Sequence, residues 1–137
     1  GALLQEKIVA AASKKMVVIT DSSKEVSNLG SFDLPIEIVK FGASSTKKII
    51  ENILQNNGYT NANVRYREIK NNEKFVTDGG NFILDLKLGL IDDVELLQKQ
   101  LTMCTGVVET GLFLGMANTI IVGEPDGRCK VIGALKI

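Results

Sequence analysis

The fold is decided by the stretch Pro35-Ile-Glu-Ile-Val-Lys-Phe-Gly-Ala-Ser-Ser-Thr-Lys-Lys-Ile-Ile-Glu-Asn-Ile-Leu-Gln55, which holds two different hydrophobic periodicities. Residues 35–41 alternate apolar and polar side chains, which is typical of a half-buried strand. Residues 46–55 predict a helix, because their isoleucines and Leu54 recur on one helical face. Asn56-Asn57-Gly58 is a suitable stop for that helix. The stretch therefore predicts a strand followed directly by a helix.

The residues that follow extend this pattern to Phe113. Residues 63–69 and 82–86 predict two more strands, residues 92–101 a second helix, and residues 107–113 a fourth strand. A further short strand is predicted at 75–77, before the tight turn Asp78-Gly79-Gly80-Asn81, where glycine supplies a positive φ. The order over residues 35–113 is strand, helix, strand, strand, helix, strand. This is the order of a ferredoxin-like α+β subdomain.

The two ends of the chain belong to a different pattern. Residues 3–13 predict an amphipathic helix, and residues 16–20 predict a buried strand of a parallel sheet, followed by the polar loop 21–24. Open α/β sheets bind ligands at the carboxyl ends of their strands, so this loop is a candidate binding segment. Residues 119–122 and 130–135 predict strands joined by the hairpin loop Glu124-Pro125-Asp126-Gly127.

The predicted fold class is therefore α/β: the C-terminal part of a Rossmann-like domain that carries a ferredoxin-like (βαββαβ) subdomain. The boundaries follow from the pattern. Residues 1–33 belong to the α/β domain, 34–113 to the subdomain, and 114–137 return to the α/β domain. The ends supply too few strands for a complete α/β sheet, so we expect further strands from outside this chain.

Composition excludes several classes of function. The formal net charge is zero, so no general field draws nucleic acid or an anionic membrane to the chain. No apolar stretch is long enough to span a membrane and no secretory leader is visible, which predicts a soluble cytoplasmic protein. The chain contains no histidine, which excludes Ser-His-Asp and Cys-His catalysis and histidine-based zinc sites. Cys104 and Cys129 are predicted to be buried free thiols in a reducing compartment.

Five segments in order resemble type A ribose-5-phosphate isomerases. They are Gly1-Ala-Leu-Leu-Gln-Glu-Lys-Ile, Ile19-Thr-Asp-Ser-Ser-Lys24, Leu34-Pro-Ile-Glu-Ile-Val-Lys-Phe-Gly42, Phe75-Val-Thr-Asp-Gly-Gly-Asn-Phe-Ile-Leu-Asp85 and Gly106-Val-Val-Glu-Thr-Gly-Leu-Phe113. Two positions depart from the family pattern: Gly79 replaces the usual Asn, and Thr105 stands where Pro is common. The resemblance spans the chain, and the ordered set is far more specific than any one segment.

The resemblance implies an enzyme of the non-oxidative pentose phosphate pathway that interconverts ribose 5-phosphate and ribulose 5-phosphate through an enediol(ate). It implies Glu6 as the general base, and Lys24 and Gly1 as substrate-binding residues, with no metal and no other cofactor. Physical chemistry is consistent with this role: without histidine, acid–base chemistry falls to Glu, Asp, Lys, Tyr or Cys, and a carboxylate on a rigid helix is the natural choice to carry a proton between two carbons. The positive end of a helix dipole also favours an ionised Glu6 in a first turn.

The resemblance also implies what lies outside this chain. The family's threonine-rich phosphate loop, its Asp-Gly-Ala-Asp motif and the lysine of its Lys-Gly-Gly-Gly loop all precede the position of Gly1. The expected partners are thus a small sugar phosphate, the N-terminal half of the same enzyme and a second copy in a homo-oligomer such as a homodimer, with no nucleic acid and no membrane. Two hypotheses compete: a non-catalytic ferredoxin-like regulatory or assembly module, and another sugar-phosphate or acyl-transfer enzyme with a similar α/β domain. Asp78 and Asp85 flank the glycine turn, and for Asp78 turn capping is favoured over catalysis.

Overall fold

A computed structural model describes residues 3–133 of the chain, apart from the side chain of Asn71. It contains helices α1 (Leu3–Ala12), α2 (Ala43–Asn56) and α3 (Val94–Thr102). The strands are β1 (Val17–Asp21), β2 (Leu34–Ile38), β3 (Asn63–Tyr66), β4 (Phe82–Lys87), β5 (Val107–Thr110), β6 (Thr119–Gly123) and β7 (Cys129–Gly133). The chain is thus a mixed α/β protein, as predicted. It divides into a larger unit (residues 1–5 and 28–112) and a smaller unit (residues 6–27 and 113–137).

The larger unit contains an antiparallel sheet with the strand order β3-β4-β2-β5. One face of this sheet carries the core, because alternate residues of β2 and β4 point to the same side. Helices α2 and α3 contribute to that core through side chains three and four residues apart. The fully buried members of the core are Ile36, Ile38, Ile50, Leu54, Leu84, Leu86, Leu97 and Leu101.

Local capping explains where the helices of the larger unit begin. Helix α2 begins at Ala43, three residues earlier than predicted, directly after Gly42 in a left-handed conformation. Helix α3 begins after Asp93, whose carboxylate accepts a hydrogen bond from the Leu96 backbone N–H at 2.9 Å. Gly106, between α3 and β5, has a φ of +94°, which favours glycine, and a β-carbon there would collide with the Thr46 side chain of α2.

The connection between β3 and β4 differs from the sequence prediction. Strand β3 ends at Tyr66, yet the chain beyond it stays paired, since the Arg67 N–H donates to the Ile83 carbonyl and the Phe75 N–H to the Arg67 carbonyl. The predicted strand at 75–77 is reduced to an isolated bridge between Val76 and Phe82. Gly80 has the positive φ, of 79°, that the tight turn requires. The side chain that bonds this turn is that of Thr77 and not, as predicted, that of Asp78.

The smaller unit contains a three-stranded sheet with the order β1-β6-β7. Strands β1 and β6 are parallel, which confirms the predicted parallel pairing, and β6 and β7 form the predicted antiparallel hairpin. The prediction that β1 is buried is wrong, since Ile19 is 78% exposed. Exposed and half-buried residues alternate along β1, so one of its faces is exposed and the other is only partly buried.

The cysteine prediction is half correct. Cys104 and Cys129 are both free, and Cys104 is buried at the end of α3. Burial raises the pKa of the Cys104 thiol. Cys129 is exposed, because it begins the outer strand β7, all of whose residues are exposed. In the part of the chain that the structure describes, no helix is both long and apolar enough to cross a membrane.

Candidate active site

Glu6 lies where the sequence placed it, in the first turn of α1. Its side chain is exposed, so its carboxylate is accessible to a ligand. On the next residue, the Lys7 ammonium lies 5.0 Å from the centre of the Phe113 ring, within the smaller unit. Gly1, the third predicted site residue, lies outside the described residues.

The loop after β1 has a defined conformation. Its residues 22–24 form a short 3₁₀ helix capped by Asp21. The Asp21 carboxylate accepts a hydrogen bond from the Ser23 N–H at 2.9 Å and another from the Ser23 hydroxyl. These bonds lower the pKa of Asp21, and the nearby charge of Lys24 lowers the pKa slightly further. Lys24 is the last residue of this helix, and it is exposed.

The loop also lies at the position that the sequence predicts for a binding segment. Asp21 is the last residue of β1, and it is paired in the parallel ladder with Gly123, the last residue of β6. Two parallel strands therefore end side by side in polar loops. The stretch that follows is attached to β7 by an ion pair of 2.6 Å between Glu25 and Lys130. Both side chains of that pair are about half exposed, so it adds little stability.

Sequence reasoning missed a buried carboxylate in the larger unit. Glu37 of β2 is only 1% exposed. Its Oε1 accepts hydrogen bonds of 2.9 Å from the Thr77 hydroxyl and from the Asn81 amide. Glu37 stands at a polar position of an alternating strand, where exposure is the ordinary expectation. Its burial depends on the turn 77–81, some forty residues away in sequence, and no local signal marks that contact.

A polar cleft of ≈ 290 Å³ lies on the larger unit, lined by Arg65, Tyr66, Arg67, Glu68 and Asp85. The Arg67 guanidinium binds the Asp85 carboxylate through two hydrogen bonds of 3.0 and 2.5 Å. These bonds raise the pKa of Arg67. Arg65 pairs with Asp33 at 2.8 Å. Because both guanidinium groups already have carboxylate partners, the cleft does not present free positive charge to an anion.

No group of three or more Cys, Asp or Glu side chains is arranged to hold a metal ion within residues 3–133. The predicted site residues that the structure describes are exposed ionisable groups: Glu6 on α1 and Lys24 in the loop after β1, which Asp21 caps. A carboxylate can accept a proton from carbon, and an ammonium can neutralise a developing oxyanion or a phosphate.

The chain is of the α/β class, because both of its units combine helices with a sheet. The candidate ligand site lies in the smaller unit, where a parallel pair of strands ends in polar loops. Known proteins extend this classification. The sequence model of ribose 5-phosphate isomerase A (phosphoriboisomerase A) matches residues 1–127. The chain belongs to the ribose 5-phosphate isomerase A family.

Individual relatives agree with this assignment. The chain is 48% identical over 127 residues to ribose-5-phosphate isomerase A of Rhodopseudomonas palustris (strain TIE-1), a match that covers 93% of this chain and 54% of that protein. The structure of ribose 5-phosphate isomerase from Plasmodium falciparum superposes with a TM-score of 0.87 at 34% identity, covering 98% of this chain and 57% of the other. A D-ribose-5-phosphate isomerase in complex with phospho-erythronic acid superposes with a TM-score of 0.80 at 29% identity, covering 96% and 55%. The chain thus spans about half the length of these relatives.

Proposed function

We propose that this chain supplies the general base and a substrate-binding lysine of an enzyme that interconverts ribose 5-phosphate and ribulose 5-phosphate. The observation that carries the proposal is the family match over residues 1–127, which includes both Glu6 and Lys24. The relatives are named as isomerases of this kind, and one structural neighbour is in complex with phospho-erythronic acid, a phosphorylated sugar acid. The family match does not favour the alternative of a non-catalytic regulatory or assembly module.

In the proposed mechanism, Glu6 takes the proton from C2 of the open-chain aldose. The electron pair of that C–H bond forms the C1–C2 double bond of the enediolate, and the negative charge moves to the aldehyde oxygen. Glu6 then returns its proton to C1, while the hydroxyl proton on O2 is lost and O1 is protonated, which gives the ketose. One carboxylate on a rigid helix is sufficient, because it both removes and returns the same proton.

Lys24 has a complementary role in the proposal. Its ammonium, at the carboxyl end of β1, offers positive charge to the substrate phosphate or to the enediolate oxygen. The Asp21–Ser23 hydrogen bonds fix the 3₁₀ helix that carries Lys24, which reduces the entropy lost when substrate binds. Backbone amides near Gly1 are proposed as a further anion-binding element at the start of α1. We propose no metal and no other cofactor for this reaction.

We further propose that the larger unit is a ferredoxin-like subdomain and the smaller unit part of a Rossmann-like domain. The strand order β3-β4-β2-β5, with one helix after β2 and another after β4, supports the first assignment. The parallel β1–β6 pair supports the second. The domain boundaries that we propose are 1–33, 34–113 and 114–137.

The N-terminal half of the enzyme is the partner that we propose for β1. This strand is at the edge of its sheet among the described residues, and its outward side chains Val17 and Ile19 are 49% and 78% exposed. An unpaired edge beside an exposed apolar face favours pairing with further strands. A homodimeric assembly and a cytoplasmic location remain predictions.

The proposal is tested by supplying the chain with an N-terminal half. In the completed protein, this chain follows the N-terminal half of the Rhodopseudomonas palustris relative, and ketose formation is measured from ribose 5-phosphate by proton NMR. We expect turnover by the completed protein, no turnover by the 137-residue chain alone, and no loss of activity in EDTA. A completed protein that binds ribose 5-phosphate without converting it would contradict the proposal. EDTA-sensitive activity that added metal restores would contradict its metal-free mechanism.

A further inference from the structure

Three lysines surround one aromatic pair in the larger unit. The rings of Tyr66 and Phe82 meet edge to face, with centres 5.9 Å apart and planes at 81°. The Lys74 ammonium lies 3.9 Å from the centre of the Tyr66 ring and 5.2 Å from that of Phe82. Lys40 lies 5.4 Å from the Phe82 centre, and Lys47 lies 5.8 Å from the Tyr66 centre. We call Lys40, Lys47 and Lys74 with these two rings the lysine–aromatic cluster.

The fold brings these lysines together from three separate segments. Lys40 follows β2, Lys47 lies in α2, and Lys74 belongs to the connection between β3 and β4. Lys40 and Lys74 approach the same Phe82 ring, so their charges are no farther apart than the sum of their two distances to its centre. The ammonium groups of Lys47 and Lys74 likewise approach the same Tyr66 ring, so their separation is limited by the sum of their distances to its centre. Three positive charges therefore lie within a short span of the surface.

The positive charge of the cluster is only partly compensated within the protein. In the described part of the chain, neither Lys40 nor Lys74 forms an ion pair with a carboxylate. Lys47 is 3.6 Å from Glu51, which among residues 3–133 is the one carboxylate paired with a cluster lysine. The aromatic faces attract these ammonium groups, but each such contact is weak at an exposed site. The lysines thus retain hydrogen-bond donors and charge that an anion can bind.

We propose that the lysine–aromatic cluster is a binding site for linked phosphate groups, such as those of a polyphosphate. Three ammonium groups favour a ligand with two or three linked phosphates over a single phosphate, because such a ligand can engage more of the cations at once. The ring faces are already in contact with lysines, so the site recognises the phosphates and not a stacked base. This inference is independent of the proposed isomerase activity.

Titration of the 137-residue chain with tripolyphosphate tests the proposal. A dye on the exposed Cys129 allows thermophoresis at nanomolar protein concentration, where self-association is suppressed. We expect saturable binding with a Kd near or below about 1 mM, weakened severalfold when salt is raised from about 50 to about 200 mM. ATP should bind about as tightly as tripolyphosphate, and inorganic phosphate more weakly. Preference for ATP by more than about tenfold would show base recognition and overturn the phosphate-only site.

Variants assign the binding to the cluster. Substitutions K40Q and K74Q should each weaken tripolyphosphate binding by at least about threefold, since each removes one ammonium and keeps the side-chain stem. E51Q should strengthen binding, because it removes the carboxylate that competes for Lys47. The matched control is K48Q on the same helix, which should leave the Kd unchanged. Equal effects of K40Q and K48Q, or weaker binding in E51Q, would overturn the proposal.

Discussion

The buried ion pair between Arg67 and Asp85 makes a sharp prediction about stability. Asp85 is 8% exposed, and its carboxylate receives both hydrogen bonds of the Arg67 guanidinium. The variant R67M keeps most of the apolar stem but leaves this carboxylate buried without its cation. Breaking a buried pair in this way costs about 3–5 kcal/mol. Because the Arg67 side chain is 31% exposed, water offsets part of the loss, and we expect a cost of about 2–3 kcal/mol.

Strand β3, which directly precedes Arg67, offers a matched control. Arg65 is two residues away, on the same face of the sheet, and also pairs with an aspartate, but its side chain is 66% exposed. An exposed pair of this kind contributes about 0–1 kcal/mol, so R65M should cost no more than that. The double variant R67M/D85L removes both charges and should recover most of the stability lost in R67M.

Urea unfolding followed by tyrosine fluorescence measures these differences. Both tyrosines of the chain, Tyr59 and Tyr66, belong to the larger unit, and the chain has no tryptophan, so the signal reports on that unit alone. A shift of the midpoint at constant slope gives the change in the free energy of unfolding. Equal costs for R65M and R67M, or a double variant less stable than R67M, would refute the reasoning.

Three further predictions concern the smaller unit and the thiols. Hydrogen bonds from Ser23 hold the pKa of Asp21 below 3.8 in the folded chain. The stability that these bonds contribute is therefore fully present at a pH above the unfolded-state pKa, and it is lost as the pH falls through the lowered folded-state pKa. A carbon-13 NMR titration of the Asp21 carboxyl should show a midpoint below 3.8, and S23A should move that midpoint back towards 3.8. An unchanged midpoint in S23A would contradict the hydrogen bonds as the cause of the lowered pKa. One thiol, that of Cys129, should react with a maleimide in the native chain, while Cys104 should react only after unfolding, as mass spectrometry of the labelled peptides can verify. In the completed protein, K24A should raise KM for ribose 5-phosphate more than it lowers kcat, and unchanged kinetics would make Lys24 an ordinary surface residue.

The periodic elements were predictable from the sequence because their signals are local. The predicted apolar face of α2 holds for Ile50, Ile53 and Leu54, whereas Ile49 is 44% exposed. Alternation identified β2. The parallel pairing of residues 17–21 followed from a short apolar run between a helix and a polar loop. Element ends were less certain, since α2 begins at Ala43 only because Gly42 adopts a left-handed conformation that allows an earlier start.

Burial was harder to predict, because it depends on contacts between distant segments. Glu37 occupies a polar position of β2 and is nevertheless buried by its hydrogen bonds to Thr77 and Asn81. Cys129 opens a strand-like run and was predicted to be buried, but it is exposed because β7 is the outer strand of its sheet. The same limit applies to the candidate site. The residue types of Glu6 and Lys24 are common on protein surfaces, and only their family context distinguishes them.

The most direct test of the central claim is the turnover of the completed protein with the substitution E6Q. The amide has the shape of the carboxylate but cannot accept the proton from C2, so kcat should fall at least about 10²-fold while the affinity for ribose 5-phosphate stays nearly constant. The control E25Q removes another exposed glutamate of the same unit and should leave kcat unchanged. Near-normal turnover in E6Q would contradict the assignment of Glu6 as the general base.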